Sequence, residues 1–341
     1  MNQLRVSVVI PTYNRAALLG RAIQSAVSQF DWDDEIVIVD DGSTDNTKEI
    51  VSAFADPRIH YIYHPRAGAG AARNRGVNEA KGYLIAFLDS DDEWLPGKLT
   101  VQRRFMEARP EILFSFTNLR RDGGQGLLRG GKWRDDLRDW DKILAPARRY
   151  SWYAGLPSET RDFNVYAGNL YHGSLYYNYF PPGCVMIRRE EEAGSATRFA
   201  EGVSIYEEWE CLGRLASQGK GAFLDFIGSV RHEHDGARIT DADGVQRAES
   251  RLTILHNVWG SDPEFLKKYR ANYEHLVHEL HLARIRGMIM LGRQREAREE
   301  MRKLARVPIA YRSAALMPSG WMNTLLSWRH RLSHLLTAPA Q

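Results

Sequence analysis

The chain has 341 residues, 43% of them hydrophobic and 26% charged, with 46 Lys and Arg against 43 Asp and Glu for a net charge of +3. That is ordinary globular composition with material for a sizeable core, in one large domain or two smaller ones, and a charge so near balance does not call for nucleic acid. The two cysteines, Cys184 and Cys211, make neither a disulfide framework nor a zinc pattern and suit a reducing cytoplasm; no run approaches the ~18 apolar residues of a spanning helix, and the opening RVSVVIPTYN is too short an apolar run for a signal peptide.

In chain order, strand and helix signals alternate over the first 120 residues. Val6–Ile10 is a β-branched strand, and Leu18, Leu19, Ala22, Ile23, Ala26 and Val27 space a helix over Arg15–Ser28. A strand follows at Glu35–Asp40, then a helix over Asp45–Phe54 with Thr44 or Asp45 as its cap. Ile59–His64 is a strand, Ala69–Ala80 a small-residue helix, Tyr83–Leu88 a strand, and Pro96 opens a helix to Ala108. Ile112–Thr117 is the next strand. Strands apolar on both faces, separated by single helices, predict a mostly parallel α/β sheet covered on both sides. Between residues 120 and 180 glycine clusters lead into an aromatic-rich segment, expected to pack beneath a long loop, with an acceptor platform as the other use of its rings. From about Ala242 the pattern is helical; one stretch, 286–308, resembles half of a tetratricopeptide unit, a single copy that carries little.

In an open parallel sheet ligands sit outside the carboxyl ends of the strands. There the chain places PTYNR, DDGSTD, RAGAGAARNRG and DSDDEW in turn. The last puts Asp89, Asp91, Asp92 and Glu93 within five positions, where like charges repel unless solvent or a cation intervenes. GAGAARNRG invites a dinucleotide reading through Gly68 and Gly70, but Arg73 occupies the third glycine position and the motif does not follow the first strand. HELH, from His278 to His281, has i,i+3 spacing and reads as a helix surface, with His275 likewise structural.

Together, VSVVIPTYNR, IVIVDDGSTDNT, AGAARNRG and AFLDSDDEW resemble a family-2 glycosyltransferase with a GT-A-type, Rossmann-like nucleotide-sugar domain. The resemblance is close over residues 1–120, looser over 180–240 and slight elsewhere. It implies that Tyr13 packs on the nucleobase with the Pro11 and Thr12 backbone beside it, and that Asp41 hydrogen-bonds the base. Arg73 would lie near the phosphates, Asp89 on the ribose side, and Asp91 on a divalent cation, Mg²⁺ or Mn²⁺. Such hard cations take one or two carboxylates plus phosphates and neutralise a departing diphosphate. Asp92 and Glu93 are expected at the N-terminus of the Pro96 helix, where acids are favourable.

An inverting transfer also needs a general base. In RFAEGVSIYEEWECLGRLASQG the family's Glu-Asp pair reads Glu207-Glu208, so Glu208 stands for the catalytic Asp with one extra methylene; Glu207 or Glu210 is the substitute, and a helix-terminal acid cluster the plain alternative. FPPGCVMIRRE resembles the acceptor-side strand. In VRHEHDGARIT, His234 aligns with a histidine beside metal and diphosphate, with His232 as alternate and Arg238 a phosphate contact. The stripe Trp321, Leu325, Trp328, Leu332 and Leu335, flanked by Arg329 and Arg331, suits either an anionic membrane surface or docking on protein.

The expectation is therefore an inverting, metal-dependent enzyme of this family, moving a sugar from a nucleotide donor (a UDP-sugar) to a glycan or lipid-linked acceptor in cell-surface polysaccharide synthesis. It places the chain in the cytoplasm, peripheral on the inner face of the membrane if the C-terminal stripe meets lipid. Residues 1–120 would form the donor half, 121–241 the acceptor and catalytic half of the same domain, and 242–341 a helical extension. The rival readings are a sugar nucleotidyltransferase, disfavoured because PTYNR stands where a glycine-rich basic loop is needed, and a nucleotide-sugar-binding module without turnover.

Overall fold

Uninterrupted apolar runs became the central strands. In the computed structural model, which describes residues 5–122, 127–128, 144, 146–156, 160–179, 181–189, 197–203, 205–233 and 242–316, the chain divides into two units, Met1–Gly236 and Ala237–Gln341. The first opens with β1 (Val6–Thr12), α1 (Ala16–Val27), β2 (Glu35–Asp40), α2 (Thr47–Ser52), β3 (Ile59–Tyr63), α3 (Ala69–Glu79) and β4 (Leu84–Phe87). It continues through β5 (Asp92–Trp94), α4 (Lys98–Ala108), β6 (Ile112–Arg121), β7 (Leu127–Leu128), β8 (Arg148–Arg149), β9 (Asn164–Gly168), α5 (Tyr171–Ser174), β10 (Val185–Arg188), α6 (Glu207–Gln218) and β11 (Lys220–Arg231).

The sheet runs β3-β2-β1-β4-β10-β6-β11-β9-β8, with β5 paired to β11 and β7 to β6. It is a mixed, mostly parallel central sheet of the expected α/β kind: β3, β2, β1 and β4 are parallel, as are β6 and β11, while β10 is wedged antiparallel between β4 and β6. Every residue of β2 and β4 is buried, as both-face covering requires. One core lies on each side. Val8, Ile10, Ile23, Ile38, Leu99, Phe105 and Tyr150 pack on the α1/α4 face, and Val9, Phe87, Phe114, Phe116, Leu212 and Phe223 on the α3/α6 face.

Some boundaries moved. The helix expected at Pro96 starts at Lys98, because Gly97 adopts a left-handed φ of 85°. Asp45 lies one residue before the formal cap of α2, Asn46, yet its Oδ1 accepts the Thr47 amide at 3.1 Å and its Oδ2 the Ala16 amide at 3.0 Å, so one carboxylate serves the starts of both α2 and α1. The aromatic segment packs inward in large part. Tyr150, Phe163 and Tyr179 are buried, the Tyr150 hydroxyl donates to the Val101 carbonyl at 2.8 Å, and Tyr166 stacks on Phe223. Trp152 stays 58% exposed.

The second unit is helical: α7 (Gly244–Leu255), a π-turn at His256–Gly260, α8 (Pro263–Met290), α9 (Gln294–Met301) and α10 (Ile309–Ala314). Asp243 and Gln246 form a reciprocal capping box at α7, and Asp262 caps α8, where Pro263 occupies the first turn. Ile285, Met288, Ile289, Ala297, Val307 and Ala315 form its core. His281 lies on α8 and faces Glu300 at 2.8 Å. No helix among the described residues is long and apolar enough to cross a membrane; the tryptophan stripe at 321–335 lies outside the described residues.

Candidate active site

The carboxyl ends of β1 and β2 lie side by side, with Thr12 in register with Asp40. The next residue on each, Tyr13 and Asp41, leaves the sheet at the same edge. The Asp41 amide donates to the Thr12 carbonyl at 2.8 Å, and its carboxylate accepts the amides of Ala67 at 2.8 Å and Gly68 at 2.9 Å. This pins the loop after β3 against β2 and carries Arg66 over the Tyr13 ring, guanidinium carbon 3.6 Å from the centroid. Pro11 is half-buried; Thr12 is buried, and its hydroxyl has no hydrogen-bond partner among the described residues. Asp40 is used structurally, accepting from Tyr61 Oη at 2.6 Å and from the Ser43 amide at 2.8 Å.

The acidic segment after β4 is not a helix start. Contrary to the expectation for Asp92 and Glu93, Asp92–Trp94 form β5, which pairs antiparallel with the end of β11 so that Asp92 faces Arg231 and Glu93 faces Val230. Ladder bonds to β11 outweigh the modest attraction of a helix dipole. Asp92 is buried; desolvation and the neighbouring carboxylates of Asp89 and Asp91 push its carboxyl well above the usual range, against the pull of Arg231. Asp91 is more open, with its carboxylate 4.0 Å from Arg15 Nε and its carbonyl accepting from Arg21 at 3.1 Å. Glu93 meets His232 at 2.8 Å, and the other ring nitrogen of that histidine lies 2.8 Å from Asp122.

Arg73 joins this edge to the start of α6. It projects from α3, is buried, and donates from Nη2 to Asp89 at 2.7 Å and from Nη1 to Glu207 at 2.5 Å. Burial opposes its charge, but the carboxylates of Asp89, Glu207 and Glu208 overcome that and raise its pKa. Glu207 and Glu208 begin α6, where their charge complements the helix dipole. Glu208, half-buried, accepts from Asn178 Nδ2 at 2.5 Å. Desolvation, reinforced by Glu207, pushes its carboxyl up to about 8 despite the pull of Arg73. Glu210 turns away into an ion pair with Arg214 at 2.8 Å.

Two further residues hold α3 to the segment before α6. The Asn74 side chain donates to the Phe199 carbonyl at 3.0 Å and to Glu201 at 2.7 Å, and accepts the Phe199 amide at 2.8 Å. At Gly70 a Cβ would lie 2.2 Å from the Ala200 carbonyl oxygen. The glycine therefore serves close backbone approach of α3 to the segment before α6. Gly70→Ala is expected to cost about 1–3 kcal/mol in urea denaturation, whereas Gly155→Ala, whose Cβ would meet nothing within 4 Å, leaves the midpoint in place.

Asp89, Asp91, Arg73, Glu207 and Glu208 thus gather at one site, with Tyr13 and Asp41 on the same sheet edge. Asn74, Asn178, Arg15 and Arg66 belong with them and were not singled out in the sequence; Asn178 sits in the aromatic segment with no motif around it. His234 and Arg238 lie outside the described residues. The donor set fits a hard divalent cation in its chemistry: Asp89 and Asp91 offer carboxylate oxygens at one strand end, and burial, with the charges of Asp89 and Asp91 added to it, drives the neighbouring Asp92 toward its neutral form. Among the described residues no group of three potential ligands converges on one point.

Residues 7–169 match the model of the family described as Glycosyl transferase family 2. The chain is 42% identical over 114 residues to the UDP-Glc:alpha-D-GlcNAc-diphosphoundecaprenol beta-1,3-glucosyltransferase WfaP of Escherichia coli, covering 33% of this chain and 45% of that one. It is 29% identical over 288 residues to the succinoglycan biosynthesis protein ExoO of Rhizobium meliloti, covering 83% and 73%. The chain spans only 21% of the length of two other curated relatives. Its fold is like that of the mannosyltransferase PcManGT from Pyrobaculum calidifontis, solved in complex with GDP-Man and Mn²⁺: TM-score 0.54 and 17% identity, covering 98% of this chain and 81% of that one.

Proposed function

We propose that this chain, whose residues 7–169 match the glycosyl transferase family 2 model, is a glycosyltransferase of that family, and that it transfers a sugar with inversion from a UDP-sugar to a glycan or lipid-linked acceptor in cell-surface polysaccharide synthesis. The observation that carries this reading is the Arg73 guanidinium, bonded at one end to Asp89 and at the other to Glu207 beside Glu208. It sets a donor-side carboxylate and a base-side carboxylate on one rigid group.

In this reading Tyr13 packs on the base, with Pro11 and Thr12 along its edge. Asp41 accepts a base N–H; its Oδ1 holds the Ala67 amide and lies 3.3 Å from His64 Nδ1, while its Oδ2 holds the Gly68 amide alone and keeps a lone pair for a ligand. Asp89 takes the ribose side and Arg73 the phosphate side. Asp91, with His234, holds Mg²⁺ or Mn²⁺, which when bound supplies Lewis-acid neutralisation of the diphosphate's charge. Glu208 receives the acceptor hydroxyl proton as the acceptor oxygen bonds to the anomeric carbon and the bond to the diphosphate breaks. Its elevated pKa suits a base working near neutrality. Names of relatives that carry UDP-Glc with a diphosphoundecaprenol acceptor, or succinoglycan synthesis, support the donor and acceptor classes. We place the protein in the cytoplasm at the inner face of the membrane, where a lipid-linked acceptor would lie.

A screen of nucleotides and nucleotide sugars for Mn²⁺-dependent thermal stabilisation tests this. UDP and a UDP-sugar raise the midpoint more than their guanosine counterparts, and the stabilising sugar donor is consumed with release of UDP. Stabilisation only by a nucleoside triphosphate consumed with a sugar phosphate would replace the reading with nucleotidyl transfer.

A further inference from the structure

We infer that the face of the helical unit formed by α9, α10 and the segment between them docks on the anionic headgroups of a phospholipid bilayer. There a cavity of about 410 Å³ is lined by Arg298, Met301, Arg302, Leu304, Arg312 and Leu316. Its apolar side includes Leu316, 75% exposed, and Ile309, 80% exposed, stands one helical turn before the lining residue Arg312 on α10. Its polar side is cationic throughout. Residues 293–316 carry seven Lys and Arg against three Glu, and those three pair with cations that do not line the cavity, three of them among the seven. Glu296 pairs with Arg293, Glu299 with Arg295, and Glu300 with His281, Arg284 and Lys303. Arg298 donates to the Ala315 carbonyl at 2.7 Å. The guanidiniums of Arg302 and Arg312 make no ion pair with any described residue.

Unpaired guanidiniums rimming an apolar hollow complement a group that is anionic at its tip and apolar behind, which is the surface chemistry of an acidic bilayer. A soluble phosphate would use the arginines and leave Leu304, Ile309 and Leu316 in water; a purely apolar partner would leave the charges idle. Each basic residue at such a surface multiplies partition roughly fivefold, and the effect is screened by salt. The inference rests on the helical unit alone, so it stands or falls separately from the donor chemistry.

Co-sedimentation of the full chain with vesicles tests it. Wild-type protein binds vesicles of equal phosphatidylcholine and phosphatidylglycerol and not phosphatidylcholine alone. Arg302→Glu/Arg312→Glu lowers that binding at least about tenfold, and Ile309→Ser/Leu316→Ser weakens it by a separate, salt-insensitive factor. Both variants keep the wild-type unfolding midpoint and nucleotide response. Three results would overturn the inference: full binding by the arginine variant, with loss only in Trp321→Ala/Trp328→Ala; release by inorganic phosphate but not by chloride of matched ionic strength; or equal binding of wild type to both vesicles.

Discussion

Glu208→Gln is expected to lower kcat for sugar transfer by roughly 10²–10⁴-fold, the worth of a positioned general base, while UDP binding by calorimetry stays unchanged. Gln preserves the side chain's length and its acceptor for Asn178, so position is kept and only proton affinity is lost. Wild-type kcat/KM should rise with pH. The base works deprotonated, and desolvation together with Glu207 holds its carboxyl up at about 8 in the free enzyme, so activity climbs through neutrality and levels above that value. A bound cation nearby would shift the climb to lower pH. Glu208→Asp, which withdraws the carboxylate by one methylene, should retain the rising limb with reduced kcat, separating a base from a merely structural acid. Full activity in Glu208→Gln would transfer the role to Glu207; that residue is the weaker candidate because Arg73 already holds it at 2.5 Å. Loss of transfer with intact UDP binding would also end the binding-module reading.

Asp91→Asn should abolish metal-dependent donor cleavage, by roughly 10²–10³-fold, since Lewis-acid neutralisation of a leaving diphosphate supplies several kcal/mol. Metal chelation of wild type should do the same, and raised Mn²⁺ should partly rescue the variant, because an amide oxygen still ligates weakly. Asp92→Asn is the informative contrast. Burial and its neighbours already drive that carboxyl toward its neutral form, which an amide mimics, so the loss should be far smaller. Donor cleavage that survives both chelation and Asp91→Asn would remove the metal from the proposal.

Much of the sheet's carboxyl edge was legible because its signals are local. Uninterrupted β-branched runs produce buried parallel strands, and the residue after each strand must emerge at the sheet's carboxyl edge. Tyr13, Asp41 and Asp89 could be collected there without coordinates. The helix over Ala69–Glu79 and the acid cluster opening α6 were likewise written in short spacing. The reading of Asp92 and Glu93 failed for a specific reason. Acids followed by Pro96 look like a helix start, and nothing local announces that β11, more than a hundred residues onward, offers its edge to Asp92–Trp94.

The sequence by itself determined the α/β class, the order of strands and helices, the family resemblance and the list of carboxylates from which a site could be built. Tertiary structure alone decided which of them meet. Arg73 reaches Glu207 across 134 positions and Asn74 reaches Phe199 across 125, and Asn178 finds Glu208 only because both segments fold onto one face. Such contacts depend on loop closure and on where an antiparallel strand such as β10 enters the sheet. Those choices are settled by the packing of the whole core rather than by the propensity of any residue within it.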